Sequence, residues 1–414
     1  MQPLDVIVVG GGLAGLSCAR SLQQAGLQPL VLEAGDAAGG RVRTDSVDGF
    51  LLDRGFQVFL TAYPESRQVW DLPSLGLRAF EPGAGIFRDG RFHTVTDPWR
   101  QPLRALGSVL SPIGSLADKL RVARLRSQAL RGTVEALFAR PEETSRQRLA
   151  HLGFSPRILE SFFQPFFGGI FLEAELQTSS RMMEFVFRMM ALGEVALPAG
   201  GMGKLPAALA AQLPPGALRL NAPVARVEPR SVTLESGERL EAECVVVATE
   251  GPAAARLLPS LQVAAGRPVT CLYFAAPEPP VRGARLLLNG AGRGRVNNVA
   301  VLTEVAPSYA PAGQSLVSVT VLGGQAPAEA QVRAELSAWF GASVAGFRHL
   351  KTYVITHALP AQSPGHLEPR APLATEGVFV CGDHRQHGSI EGAIVSGQRT
   401  ARAVIEERAS SGGR

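Results

Sequence analysis

Asp5-Val6-Ile7-Val8-Val9-Gly10-Gly11-Gly12-Leu13-Ala14-Gly15 reads as a continuous apolar strand, a run of glycines and the first turn of a helix. An apolar run without alternation belongs to a strand covered on both faces, the usual state of a parallel sheet. The helix is expected from Leu13 to Gln24, closed by Gly26, and a second strand follows at Gln28 to Leu32. In that setting Gly10, Gly12 and Gly15 satisfy G-x-G-x-x-G in the context it requires, directly after a strand and opening a helix. Gly10 permits the tight turn, Gly12 lets the backbone approach a pyrophosphate, and Gly15 lets helix pack on strand. The amides at the helix start, around Leu13 and Ala14, then point at the phosphates, aided by the helix's partial positive charge. Glu33, followed by Ala34, ends the second strand, where a carboxylate can hold an adenosine ribose through its hydroxyls. The same charge repels a 2′-phosphate and so excludes NADP.

The rest of the composition narrows the class. A chain of 414 residues, 46% hydrophobic and 19% charged, can bury a large core and is neither disordered nor fibrous. No apolar run is long enough to span a bilayer, and the start lacks the basic region of a signal peptide. Cys18, Cys244, Cys271 and Cys381 lie far apart, without metal-ligand spacing, and read as reduced thiols of a cytoplasmic protein. The net charge is only +5, and no basic block is interleaved with aromatics, so a nucleic-acid partner is not expected.

Along the chain a hairpin is expected over 84–95, turning at Asp89-Gly90. A helical stretch follows from about 100 to 213, then a three-stranded meander over 217–249. Strand-like runs recur at 269–274, 285–289, 315–322 and 350–357. A last strand, Gly377 to Cys381, leads into a helix from about Glu391 to Arg408, and the tail from Ser410 to Arg414 frays. The expected fold is α/β: a discontinuous, Rossmann-like dinucleotide-binding domain from 1–80, 214–265 and 366–414. An α+β substrate domain from 81–213 and 266–365 adds a mixed or antiparallel sheet and a helical subdomain.

The glycine turn does not separate NAD from FAD, but the next segment does. Glu33-Ala34-Gly35-Asp36-Ala37-Ala38-Gly39-Gly40-Arg41-Val42-Arg43-Thr44 resembles the E-x5-GGR-x-x-T/S signature of the flavin amine oxidase superfamily, which includes protoporphyrinogen oxidase and the phytoene desaturases. Gly39 and Gly40 let the backbone pass close to a diphosphate, and Arg41 sets a planar cation beside it. At the other end, Gly377-Val378-Phe379-Val380-Cys381-Gly382-Asp383 and Gly388-Ser389-Ile390-Glu391-Gly392-Ala393 resemble that family's closing flavin motif. The resemblance implies FAD, with Gly382 and Asp383 at the ribityl chain and the amides from Ile390 to Ala393 aimed at the pyrimidine edge. A helix N-terminus there favours an anionic reduced flavin. It further implies that Gly49-x3-Asp53-Arg54-Gly55-Phe56-Gln57 runs along the isoalloxazine and that Val224 presents its backbone to the adenine. No cysteine precedes the closing motif where monoamine oxidases attach their flavin, so non-covalent FAD is expected. No second strand–GxGxxG–helix exists, so no NAD(P)H site is expected.

By the same resemblance the flavin N5 removes a hydride from a C–H bond, and no protein residue is singled out as catalytic. Thr270 aligns with the lysine that amine oxidases carry near N5, and Ser389 stands where monoamine oxidases have a cage tyrosine. Both departures count against a typical amine oxidase. Eight phenylalanines lie between Phe154 and Phe187 and five methionines between Met182 and Met202. They suit either a pocket for a long hydrocarbon or flat macrocycle, or a packed helical core. The stretches 200–206 and 358–366 resemble protoporphyrinogen-oxidase and desaturase relatives, which points to a small apolar isoprenoid, carotenoid or tetrapyrrole substrate. A flavin amine oxidase is the alternative, and a prenyl- or lipid-binding protein akin to Rab GDP-dissociation inhibitors the second. Lys119, Arg121, Arg124, Arg126 and Arg131 are expected on one helix, with Leu116, Leu120, Ala123 and Val134 on its other face. That helix is either a peripheral membrane contact or a solvated face. His384 and His387 read as loop hydrogen-bonding residues and, lacking an Asp, Glu or Cys partner, not as metal ligands; no metal is expected.

Overall fold

The computed structural model describes residues 4–103, 111–367, 370–375 and 377–411; part of the expected helical stretch and the end of the tail lie outside them. Strand β1 (Leu4–Val9) lies between two parallel neighbours, β2 (Pro29–Leu32) and β3 (Arg239–Val247). β3 pairs in parallel with β4 (Val378–Val380) on its far side. Val6, Ile7 and Val8 are fully buried, as their unbroken apolar run requires. Strands contributed by residues near 5, 30, 245 and 379 therefore share one sheet, which brings the end of the chain beside its beginning.

Helix α1 (Leu13–Gln24) follows the glycine turn and packs on helix α5 (Ile390–Ser411). This approach needs small residues. Ser17 Oγ donates to the Ile394 carbonyl at 3.0 Å, and a Cβ on Gly397 would clash with the Ala14 carbonyl oxygen and lie 2.9 Å from the Cys18 nitrogen. Both neighbours are backbone, so neither can swing aside. Gly397→Ala is expected to cost about 3 kcal/mol, the upper end of overpacking, read as a clear fall in Tm.

The second sheet has seven strands, in the order 348–360, 266–276, 315–322, 296–301, 286–289, 83–88 and 91–96. Its pairs are antiparallel except 83–88 with 286–289. The hairpin turns at Asp89 and Gly90, both with positive φ, 52° and 76°. Of the helices α2 (Leu116–Ala129), α3 (Gln164–Phe171) and α4 (Ser180–Leu192), α3 packs on the seven-stranded sheet and α4 is the hub of the helical part. The buried Glu184 of α4 anchors that hub, accepting from Arg140 at 2.5 Å and Arg148 at 2.7 Å.

Several sequence expectations need correction. The strand 218–219 does not join the meander; it pairs with β2 at the sheet edge, and the meander is 224–228, 231–234 and β3. The strand 296–301 escaped notice because Asn297 and Asn298 interrupt its apolar run. Arg131 lies beyond the end of α2, and Val134 begins the separate helix Val134–Phe138. The inward face of α2 is Asp118, Leu125 and Ala129, while Leu116 and Leu120 face solvent.

Candidate active site

Gly10 takes φ 112°, and a Cβ on Gly15 would strike the Gly10 carbonyl oxygen. These two glycines make the turn and the helix packing possible. Gly12 caps α1, and a Cβ there would meet nothing within 4 Å, so the amides at the start of α1 face open space. Glu33 braces this turn. Its Oε2 accepts from the Gly11 amide at 2.7 Å and its Oε1 from the Gly35 amide at 2.8 Å. Each carboxylate oxygen can accept more than one hydrogen bond, so acceptor capacity remains for a hydroxyl. The Gly39 amide donates to the Gly11 carbonyl at 2.8 Å, which lays Gly39-Gly40 directly against the turn.

The opposite end is closed by residues 342 positions apart. Arg41 donates to Asp383 Oδ1 at 2.6 Å and to the Ala358 carbonyl at 3.0 Å. Gln57 Nε2 donates to the carbonyls of Arg41 at 2.8 Å and Arg54 at 3.2 Å, which locks the loop from Arg54 to Val58 onto Arg41. Beneath that loop sits Asp53, almost fully buried. Its Oδ1 accepts from Thr44 at 2.5 Å and the Met202 amide at 2.9 Å, and its Oδ2 from Tyr309 at 2.9 Å. Its carbonyl accepts from Tyr273 at 2.8 Å. Burial without a cation pushes the carboxyl up to about 6, against the lowering effect of the three donors. Thr44, Asp53 and Met202 lie in stretches that the sequence singles out, but nothing in the sequence shows that they meet, and Tyr273 and Tyr309 carry no motif of their own.

A single cavity of about 1520 Å³ joins the two ends. It exceeds the usual 300–1,000 Å³ of a small-molecule site. Its walls include Gly10, Gly12, Leu13, Ala14, Glu33 and Ala34 at one end, with Val224 beside them. Gly39, Gly40 and Arg41 follow, then Gly55, Phe56 and Gln57, then Gly382, Asp383, Ile390 and Ala393. Of the residues proposed from sequence only Gly15 is off the wall, since it serves the packing of α1.

Beyond Ile390 the cavity continues into an apolar lobe between the sheets. Phe162, Phe166, Phe171, Met182, Phe187 and Met190 line it. Phe154, Phe163, Phe167, Phe185, Met183 and Met189 are buried behind them, with Phe163, Phe167 and Phe171 stacked in a ladder. The Phe/Met segment is therefore both pocket wall and core. Thr270 needs correction as the wall residue: its hydroxyl donates to the Gly323 carbonyl at 3.0 Å, and Val269, one position earlier on the strand, lines the cavity with Ile355. Ser389 does line it, with its hydroxyl 3.0 Å from His387 Nδ1 and accepting from the Gly392 amide at 2.9 Å.

His387 is sandwiched by Phe138, stacked at 5.5 Å, and Phe185, at 5.0 Å. Burial pushes it down to about 4. His384 is also held near 4 by burial, offset only in part by the Asp383 charge, and neither of its ring nitrogens has a hydrogen-bond partner among the described residues. The loop hydrogen bonding expected of both is made by His387 alone. Their folded values lie below the unfolded 6.5, so the stability they contribute is present above that pH and lost as pH falls towards 4. Each is worth about 3 kcal/mol at full effect. His387→Phe is expected to flatten the loss of Tm between pH 6.5 and 4.

A glycine turn with its bracing carboxylate, joined through one long cavity to an arginine–aspartate clasp and an apolar lobe, defines a dinucleotide-binding protein with room for a second ligand. Residues 13–405 match the model of the family described as flavin containing amine oxidoreductase. The chain belongs to that family of FAD-dependent oxidoreductases. A stretch of 70 residues is 40% identical to 15-cis-phytoene desaturase from an Oncidium hybrid cultivar, covering 17% of this chain and 12% of that protein. Another of 51 residues is 56% identical to polyamine oxidase 2 from Arabidopsis thaliana, covering 12% and 10%. These curated relatives are thus matched over about an eighth of their length or less. In structure, a putative protoporphyrinogen oxidase from Exiguobacterium sp. 255-15 is similar with a TM-score of 0.72 at 18% identity, over 98% of this chain and 100% of that one. Cyclohexylamine oxidase from Brevibacterium oxydans is similar with a TM-score of 0.72 at 20% identity, over 98% and 99%. At these identities the structural likeness shows a shared mixed α/β fold.

FAD suits the residues present. The open space at Gly12, the amides at the start of α1 and the spare acceptor capacity of Glu33 match a diphosphate and a ribose.

Proposed function

We propose that this protein dehydrogenates an apolar substrate, isoprenoid, carotenoid or tetrapyrrole in kind, with non-covalently held FAD. The observation that carries the proposal is the continuity of the cavity from the glycine turn to the Phe/Met lobe. When bound, FAD would supply a hydride acceptor.

The chain's own residues do the rest. Gly10, Gly12 and the amides of Leu13 and Ala14 would hold the diphosphate and Glu33 the adenosine ribose, with Val224 beside the adenine. Gly39-Gly40 let the backbone close over the phosphates. Arg41 and Asp383, clasped to each other, fix the position of the ribityl chain, and the start of α5 at Ile390 to Ala393 faces the pyrimidine edge. Residues 54–58, held from below by Asp53, form the floor. Phe162, Phe166, Met182 and Met190 exclude water and orient an apolar body. Val269 and Ile355 put aliphatic side chains on the wall, and a single tyrosine, Tyr63, lines it beside Ser389; one tyrosine is no aromatic cage, which weighs against simple amines.

The test is anaerobic reduction of the purified flavoprotein, followed by its visible spectrum. Isoprenoids or porphyrinogens are expected to bleach the flavin, and primary amines and polyamines are not. Rapid bleaching by putrescine or a primary amine would establish the amine-oxidase reading instead. Lipid binding by a protein that never takes up FAD would establish a non-catalytic carrier.

A further inference from the structure

Apolar side chains that remain in water need a reason when they cluster. Seven large apolar residues are markedly exposed among the described residues, and five of them gather at one place: Trp99 (46%), Leu103 (84%), Leu116 (66%), Leu120 (67%) and Leu192 (57%). The place is the rim of the apolar lobe. Trp99 itself lines the cavity, while Leu103, Leu120 and Leu192 each directly follow a lining residue, namely Pro102, Lys119 and Ala191. The three segments meet physically. The Arg126 guanidinium lies 4.8 Å over the Trp99 ring and donates to the Ala191 carbonyl at 3.3 Å, and Arg100 donates to the Gly193 carbonyl.

The charge of α2 itself is one-sided, although Asp97 and the exposed Glu194 also stand near the rim. Between Leu116 and Ala129 the only acid is Asp118, which is fully buried by its capping of Ser115 and its bonds to Ser155. Of its bases, Arg121 pairs with Asp118 at 3.4 Å and Arg126 covers Trp99, while Arg124 is exposed beside the two leucines. Leu116 and Leu120 are one turn apart and project on one side of α2. A helix face that combines unburied leucines with an exposed arginine, beside a tryptophan with one edge wet, has the composition of an interfacial element. A protein partner would be met by such a face as well, but the absence of exposed acid on α2 and the opening of an apolar chamber at its centre favour lipid.

We infer that the rim formed by Trp99, Leu103, Leu116, Leu120 and Leu192 seats on an anionic lipid surface, so that the cavity opens onto the bilayer and not onto water. The leucines and the tryptophan enter the boundary between headgroups and acyl chains. The arginines of α2 lie against the anionic headgroups and strengthen the contact in a salt-dependent way. A hydrophobic substrate would then pass from acyl chains to the Phe/Met lobe without crossing water.

The experiment is sedimentation of the purified flavoprotein with vesicles of phosphatidylcholine alone or mixed with phosphatidylglycerol, at low and high salt. Binding is expected to the mixed vesicles, weakened by salt, with quenching by brominated acyl chains that Trp99→Phe removes; Trp70 is buried, and the third tryptophan, Trp339, packs on Phe87 and Phe92. Leu116→Ser/Leu120→Ser is expected to lower the partition coefficient at least tenfold with flavin content and Tm unchanged, and Arg124→Glu to remove part of the salt dependence. Should the double variant not fold, Leu120→Ser with the quenching measurement on the unaltered protein decides the matter. No binding to mixed vesicles, equal binding by the leucine variants, or self-association in place of vesicle binding overturns the inference. None of these readouts uses turnover, so failure here leaves the oxidoreductase reading untouched.

Discussion

Glu33→Arg is expected to yield a folded but colourless protein. Glu33 is worth more than its contact with a ribose, because its two oxygens also hold the amides of Gly11 and Gly35. Hydrogen bonds to a charged group contribute about 1.5–3 kcal/mol each. Arginine removes both and places a guanidinium with no acceptor at the mouth of the turn, so the loss to FAD affinity is at least about 3 kcal/mol, or roughly a hundredfold. Titration of apoprotein with FAD, followed by flavin fluorescence, checks this. Glu33→Gln keeps one acceptor oxygen and is expected to fall between the two. Retention of FAD by Glu33→Arg at the affinity of the unaltered protein would remove Glu33 from the site.

The second large effect is expected at Asp53. Asp53→Ala leaves the Thr44 hydroxyl, the Met202 amide and the Tyr309 hydroxyl without their acceptor in a buried setting. Each unsatisfied group costs about 1–3 kcal/mol. Relief from burying a carboxylate returns some of this, so a net loss of about 3–5 kcal/mol is expected in denaturant unfolding. FAD affinity should fall with it, since the floor at 54–58 loosens. The pH dependence separates this knot from generic packing. Asp53's folded value, about 6, lies above the unfolded 3.8, so its contribution is full below about 3.8 and is lost as pH rises through 6. On acidification Asp53 therefore gains stability while His384 and His387 lose it. Asp53→Asn is expected to steepen the loss of Tm between pH 6 and 4, the reverse of His387→Phe. A parallel profile for Asp53→Asn and the unaltered protein would place Asp53 outside this balance.

These two residues mark what a sequence can and cannot disclose. Glu33, Gly12, Arg41 and Asp383 were legible because each belongs to a short local pattern with its own mechanism, and the structure brings them to one cavity. The strand–turn–helix start was legible for the same reason, its helix bounded at Leu13 and Gln24. Asp53 was legible as part of a motif but not as a knot: Thr44 faces it across a local hairpin, while Met202, Tyr273 and Tyr309 are distant and only the fold brings them to it. Thr270 shows a different difficulty. Side chains alternate across a strand, so an alignment displaced by one residue reports the wrong face, and Val269 faces the cavity in its place. For α2 the sequence did not show which face packs inward: the burial of Asp118, Leu125 and Ala129 turns Leu116 and Leu120 outward, beside Arg124 and not opposite it, a tertiary feature that periodicity does not carry.

The most direct test of the central claim is the flavin content of the purified chain, measured after acid precipitation, with the released cofactor compared before and after phosphodiesterase treatment. One FAD per chain is expected in the supernatant, its fluorescence rising when the phosphodiesterase separates the adenylate from the flavin. Flavin held in the pellet would contradict non-covalent binding. Protein that is colourless as purified and takes up no FAD on reconstitution would contradict the site itself.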